Sequence, residues 1–232
     1  MTPRQRAREQ AMIDIKRIAR EQLAVQGGAA LSLRAIAREL GIVSSAMYRY
    51  VPSRDELLTM LIEDAYNSLG DAAAAADETC ERADLVGRWK AVGTAVRDWA
   101  VASPSEYALL YGSPVPGYAA PPERTVAPGS RVTLLLVGLV DAAESAYDGP
   151  NPPVPPTVRA DLDGIREGLG VRADDDLLAR AILAWTALFG LVSFELFGQF
   201  AGGVHDHAAH FDHQLDRLAL LIGLSGPANM SV

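Results

Sequence analysis

At 232 residues the chain is long for one compact core and short for two large ones, which bounds it at one large or two unequal domains. With 49% hydrophobic and 22% charged residues it can bury a real core, so a disordered acidic polymer is excluded. A single cysteine, Cys80, cannot make an internal disulfide, which sets aside the secreted disulfide scaffolds and fits a reducing cytoplasm.

The net charge of −8 argues at first sight against a polyanionic partner, but its distribution argues for one. Residues 1–54 carry ten Lys and Arg against four acids, a net of +6, and residues 55–232 carry a net of −14. A basic head on an acidic body is expected where only one end meets nucleic acid. A merely solvated basic N-terminus has the same charge, so charge alone leaves both readings open. The N-terminal residues carry charge with no apolar run behind them, so no signal peptide is expected. The longest apolar run without an ionisable group, Ala181 to Phe194, is 14 residues, where a bilayer needs about 20. No membrane partner is expected.

Met12, Ile15, Ala19 and Leu23 recur at helical spacing, predicting an amphipathic first helix that stops at Gly27-Gly28. Ser32 is placed to cap a short second helix, Leu33–Leu40, ended by Gly41. Ser44 is placed to cap a third, Ser45–Val51, stopped by Pro52. Ser53 and Glu56 read as a capping box opening a long fourth helix through Leu57, Leu61 and Ala65. Further helices are predicted over Ala83–Ala102, Ser105–Tyr111, Arg131–Ala146, Arg159–Glu167, Asp174–Gln199 and Asp206–Ile222. The Pro/Gly-rich stretches 113–122 and 149–156 read as surface loops. No strand alternation of useful length and no internal repeat is present, so the predicted class is all-α.

Leu33 to Pro52 has the constraints of a helix–turn–helix: Ala37 as the small contact residue, Gly41 where the chain must take positive φ, and Ile36, Leu40, Ile42, Met47 and Tyr50 facing inward. Arg34, Arg38, Ser45, Ala46, Tyr48 and Arg49 fall outward, leaving the tip of the second helix free to enter a major groove. The stretch Leu33-Arg-Ala-Ile-Ala-Arg-Glu-Leu-Gly-Ile-Val-Ser-Ser-Ala-Met-Tyr-Arg-Tyr-Val-Pro-Ser-Arg-Asp-Glu-Leu-Leu58 resembles the DNA-binding domain of the tetracycline-repressor (TetR) family. Val51 stands where that family usually has Phe, and Arg54 where it usually has Lys.

The resemblance implies a three-helix DNA-binding domain over 1–56 and a larger helical ligand-binding and dimerisation domain over 57–232. It implies a DNA-binding set of Ser32, Arg34, Ser44, Ser45, Ala46, Tyr48, Arg49, Tyr50 and Arg54. Ser45 and Ala46 would face base edges. Tyr48 and Tyr50 would reach the backbone or a thymine methyl, and Arg54 a phosphate. For Tyr50, packing in the core is an equal alternative.

The body resembles the WHG-type C-terminal domain of that family. The cues are Trp99 followed by Ser103-Pro104, Tyr107 and Tyr111-Gly112-Ser-Pro114, then Trp185-Thr-Ala-Leu-Phe-Gly190-Leu-Val-Ser-Phe-Glu195-Leu-Phe-Gly198. The segment from Ala181 is apolar on most of its circumference and must be enclosed, and Gly190 and Gly198 would permit close helix approach. A four-helix homodimer interface built from about 174–200 and 206–222 of each subunit is therefore expected. A small-molecule effector, apolar or aromatic, is assigned to Trp89, Trp99, Tyr107, Tyr111, Trp185, Phe189 and Phe194, although for each taken singly core filling is the favoured reading.

All four histidines lie between His205 and His213, where His207 and His210 share a helical face. A metal-responsive regulator is conceivable on that cluster, but the spacing matches no established zinc signature, so the expected metal and cofactor content is none. No phosphate loop, nucleophile elbow or paired-carboxylate motif suggests an enzyme. The expectation is a cytoplasmic, homodimeric transcriptional regulator on a pseudo-palindromic duplex operator. Repression relieved by ligand follows from family habit, and a constitutive DNA-binding protein is the rival.

Overall fold

The computed structural model describes residues 2–143, 149 and 151–224. Among these, eleven α-helices and one 3-10 turn make up the regular structure, with no strand, so the all-α expectation holds. Two compact units form: Met1–Ser68 with Ala102–Gly129, and Leu69–Val101 with Ser130–Val232.

In the first unit α1 (Pro3–Gln26) opens on a capping box that the sequence pattern did not predict. Gln5 N–H donates to Thr2 Oγ1 at 3.3 Å while Thr2 N–H donates to Gln5 Oε1 at 2.7 Å. Gly27, at φ 72°, ends it, and a 3-10 turn over Gly28–Ala30 leads to α2 (Leu33–Glu39), capped as expected by Ser32. Gly41 takes φ 68°, where a side chain is strained, and Ile42 N–H then closes back on the Ala37 carbonyl at 3.0 Å.

The helix after the Gly41 turn departs from expectation at its start. α3 (Ser44–Met47) has Val43 at its N-cap with no side-chain cap, so Ser44 stands inside the helix rather than capping it. Beyond Met47 the chain continues in tighter turns, with Arg49 and Tyr50 N–H groups reaching back to the Ala46 and Met47 carbonyls. α4 (Arg54–Glu78) follows, and the expected boundary at 56/57 falls in its first turn. Ser53 caps it through Glu56 N–H at 3.0 Å. The Glu56 carboxylate accepts from Arg124 Nη1 at 2.8 and 2.9 Å, and no reciprocal cap bond is present.

One apolar cluster holds this unit together: Ile15, Ile18, Ala19 and Leu23 of α1 meet Ile36 and Ala37 of α2, Met47, Val51, and Leu57, Leu58 and Leu61 of α4. Val51 is fully buried, so the smaller residue at the usual Phe position is a core residue. α6 (Pro104–Tyr111) and α7 (Pro122–Gly129) complete the unit. The Pro-rich stretch suggested only a loop here, but Pro122 is the first residue of α7, a position where its missing N–H costs nothing. Arg124 fixes α7 through Glu63 as well as Glu56.

The second unit holds α5 (Leu85–Ala102), α8 (Arg131–Ala142), α9 (Pro156–Leu169), α10 (Asp175–Leu196) and α11 (His207–Leu221). Residues 144–146 of the predicted Arg131–Ala146 helix lie outside the described residues. Asp174 and Asp206 cap α10 and α11 by accepting from Leu177 and Ala209 N–H at 2.8 and 2.9 Å. α5 approaches α11 closely because residue 93 is glycine: a Cβ there would stand 2.6 Å from Leu215 Cδ2. Trp89 Nε1 donates to the Leu215 carbonyl across the same contact at 3.0 Å. Gly198, expected to bring helices together, lies past the end of α10 at φ 75° and serves as a turn residue. Among the described single helices α10 is the one long and apolar enough, by length and composition only, to cross a bilayer, a test that core helices of soluble proteins pass as well, and a third of its most apolar window is buried inside the chain.

Candidate nucleic-acid interface and apolar cavity

In the first unit the turn at Gly41 presents the start of α3 to solvent. Ser44, Ser45, Tyr48 and Arg49 are exposed, Tyr48 to 48%. Ala46 is not: only 9% of it is exposed, so it packs inward instead of facing outward. Tyr50 is half-buried against the core cluster and also borders a surface groove, so its ring packs while its edge meets solvent. Ser32 is committed as a cap, and Arg34 is exposed.

Arg54 has an intramolecular assignment. Its Nη2 donates to the Gly28 and Ala29 carbonyls at 2.7 and 3.1 Å, tying the start of α4 to the turn after α1. Lys16 and Arg20 are held by Asp64, Arg20 also by Glu106, and Arg17 by Glu21. That leaves Arg4, Arg6, Arg8, Arg34, Arg38 and Arg49 with neither ion pair nor side-chain hydrogen bond among the described residues. In residues 55–232, Arg217 alone shares that condition. The other basic groups there have local partners, a carboxylate in most cases, as where Arg97 grips Glu195 at 2.8 and 2.6 Å or Lys90 meets Asp216 at 2.8 Å, and an amide for Arg180, which donates to Asn151 Oδ1 at 3.0 Å. Unpaired guanidinium groups concentrated in one segment are what a phosphate backbone requires. Nothing in the spacing of Arg4, Arg6 and Arg8 singled them out, and charge counting alone could have done so.

The second unit contains a cavity of about 180 Å³ bounded by α5, α8, α9, α10 and Ile222. Trp89, Leu136, Val140, Leu169, Leu178 and Trp185 are among its walls; among the described residues Thr133 brings the one hydroxyl and no charged side chain lines it. Of the seven aromatics assigned to an effector, Trp89 and Trp185 border this space. Tyr107 and Tyr111 stack on each other in the first unit, with centroids 5.0 Å apart, and Tyr66 packs edge-on against Tyr111 at 6.3 Å. Burial pushes the Tyr111 phenol well above its ordinary pKa. Trp99 and Phe189 are buried outside the cavity wall, and Phe194 is exposed against Phe200.

The histidine segment is occupied by other contacts. His207 and His210 both lie against the Phe200 ring, Asp206 is the α11 cap, and Asp212 pairs with Lys90 at 3.0 Å. Among the described residues no three His, Cys, Asp or Glu groups converge on a point a metal ion would occupy.

Residues 16–61 match the family model of bacterial regulatory proteins of the tetR family, and residues 89–218 match the tetracyclin repressor-like C-terminal domain. The HTH-type transcriptional regulators Rv1816 of Mycobacterium tuberculosis and Mb1846 of Mycobacterium bovis are each 42% identical over 227 residues, covering 94% of this chain and 95% of theirs. This chain belongs to the TetR family of transcriptional regulators. The TetR regulator also resembles the crystal structure of SCO4313, described as a regulatory protein, at 39% identity and a TM-score of 0.77, covering 94% of this chain and 98% of that one. PfmR of Thermus thermophilus, a TetR-family regulator at 18% identity with a TM-score of 0.57, covers 91% of this chain and 98% of its own, and shares the fold. The body of the regulator therefore matches a TetR C-terminal domain, as its Trp99 to Pro114 and Trp185 to Gly198 cues implied.

Proposed function

We propose that this TetR regulator is a cytoplasmic homodimeric repressor, released from a pseudo-palindromic operator when a small neutral apolar molecule enters the cavity of its body. The cavity carries this reading. A space of about 180 Å³ without one charged wall residue among the described residues gives no partner to a carboxylate or phosphate, whose burial unpaired is costly. A cavity of about 150 Å³ suffices for benzene, so a single-ring or short branched hydrocarbon skeleton fits the present volume. Trp89 is already bonded to a backbone carbonyl, which leaves the Thr133 hydroxyl and the Trp185 indole N–H, among the described wall residues, for orienting a polar atom of the ligand.

Dimerisation is supported by what α10 and α11 leave uncovered. Leu183, Phe194 and Phe197 are about half exposed and Leu220 is 70% exposed. Leu183, Gly190 and Phe194 fall at i, i+7 and i+11, one stripe of α10, where a glycine with open space above it admits a second helix. A partner subunit bringing the same stripe would bury it isologously. Two heads on one dimer then address two half-sites, with the α3 tips in successive major grooves.

The test is a thermal-shift screen of neutral ring compounds and their carboxylated analogues, followed by release from a duplex selected from random DNA. A neutral compound should raise the melting midpoint by mass action and dissociate the complex, while its carboxylate does neither. If no compound did both, the regulator would be the constitutive rival.

A further inference from the structure

The first turns of α1 lie outside the part of the head that matches the family model, which begins at residue 16. Thr2, Arg4, Gln5, Ala7 and Arg8 there form one wall of a groove of about 560 Å³, and Arg49 and Tyr50 form the other. Among the described residues no carboxylate lines it, and none of its three arginines has an internal partner. The amides of Thr2 and Gln5 at the helix start are already occupied by their capping box. What is presented is three guanidinium groups and a phenol, open to solvent and continuous with the segment that carries Tyr48 and Arg49.

We propose that this groove is a second DNA-backbone site, in which Arg4 and Arg8 of the N-terminal extension join Arg49 in binding phosphates beyond the bases read by α3. Charge selects the occupant: an arginine groove without an acid attracts a polyanion, repels a cationic surface and gains nothing from a neutral one in return for desolvating its guanidinium groups. Its continuity with α3 selects duplex DNA, since a backbone docked at Tyr48 and Arg49 continues past Tyr50. Guanidinium forks match phosphate oxygens in pairs, so the arm adds register and affinity while reading no sequence. The inference rests on the assignment of α3 as the DNA-reading element.

The experiment uses the full-length protein, an Arg4→Gln/Arg8→Gln variant and an Arg17→Gln control, each titrated with a duplex the wild type selects from random DNA. Arg17 sits on the same helix but is paired with Glu21. Over a salt series the double variant should show a log–log slope shallower by about one to two for each subunit bound, at roughly 0.9 per phosphate contact. Hydroxyl-radical protection at the outer edge of each half-site should vanish, with the melting midpoint unchanged and the control behaving as wild type. An unaltered slope and protection pattern in the double variant would overturn the arm, as would an equal change in the Arg17 control. If the wild type selects no duplex, the assignment of α3 falls and the arm falls with it.

Discussion

Tyr48 projects from the turn after α3 while its neighbour Met47 is fully buried, so the backbone at this point is fixed and the phenol is free. Tyr48→Ala should weaken binding to a selected duplex roughly fivefold, the loss of one hydrogen bond of about 1 kcal/mol, with an unchanged melting midpoint. Fluorescence anisotropy alongside a thermal melt checks both, and undiminished affinity would count against the docking geometry. Arg54 should behave differently. Its bonds to the Gly28 and Ala29 carbonyls are internal, so Arg54→Ala should destabilise the first unit by about 1–2 kcal/mol and lose DNA affinity through that loosening. A chemical-denaturation midpoint that stays put while affinity drops would instead assign Arg54 wholly to phosphate.

At the scale of elements, α5 depends on two contacts in the second unit. Gly93 lets it approach Leu215 of α11 and Leu188 of α10, and Gly93→Val should cost about 1–3 kcal/mol by overpacking, read as a lowered denaturation midpoint. The carboxylate of Asp77, near the end of α4, accepts from Arg88 Nε at 2.8 Å and Nη2 at 3.0 Å, and from Arg82 at 2.9 Å. The Arg88 hydrogen bonds hold its pKa below the ordinary carboxylate value, against the opposing effect of burial. A depressed folded-state pKa contributes stability that is complete above the unfolded value and is lost as pH falls through the folded one. The wild type should therefore lose stability below about pH 4 more steeply than Asp77→Asn, which should also unfold more readily at neutral pH. Parallel pH profiles for the two proteins would assign the acid sensitivity elsewhere.

For the whole molecule, the proposed assembly turns on an apolar stripe that the chain itself does not cover. Phe194→Glu with Leu220→Glu places charge on exposed positions, so the folded monomer should survive while the dimer is lost. Sedimentation equilibrium should shift to the monomer mass, and operator affinity should fall as the two heads lose their linkage. A variant that still sediments as a dimer would move the interface to another face. Filling the cavity by Val137→Phe should abolish the midpoint shift caused by a neutral effector while leaving DNA binding intact. Retained response would place the effector elsewhere.

The helix class, the glycine turn at residue 41, the caps at Ser32, Asp174 and Asp206 and the basic head are legible along the chain, because each depends on neighbours a few residues away. The same local logic misled where proline was concerned, since a Pro-rich run reads as loop although Pro122 and Pro156 open helices. Which arginines remain unpaired was decided in three dimensions, because a carboxylate far along the chain, such as Asp64 for Lys16 or Glu195 for Arg97, either reaches a guanidinium or ammonium group or does not. Which aromatics border the cavity was decided there as well: Trp89 and Trp185 both line it, whereas Tyr107 and Phe194, equally aromatic, pack elsewhere. Capping and turn conformation are short-range and specific to residue type, whereas hydrophobic burial is non-directional, so tertiary packing alone settles which apolar side chains become a wall and which become a core.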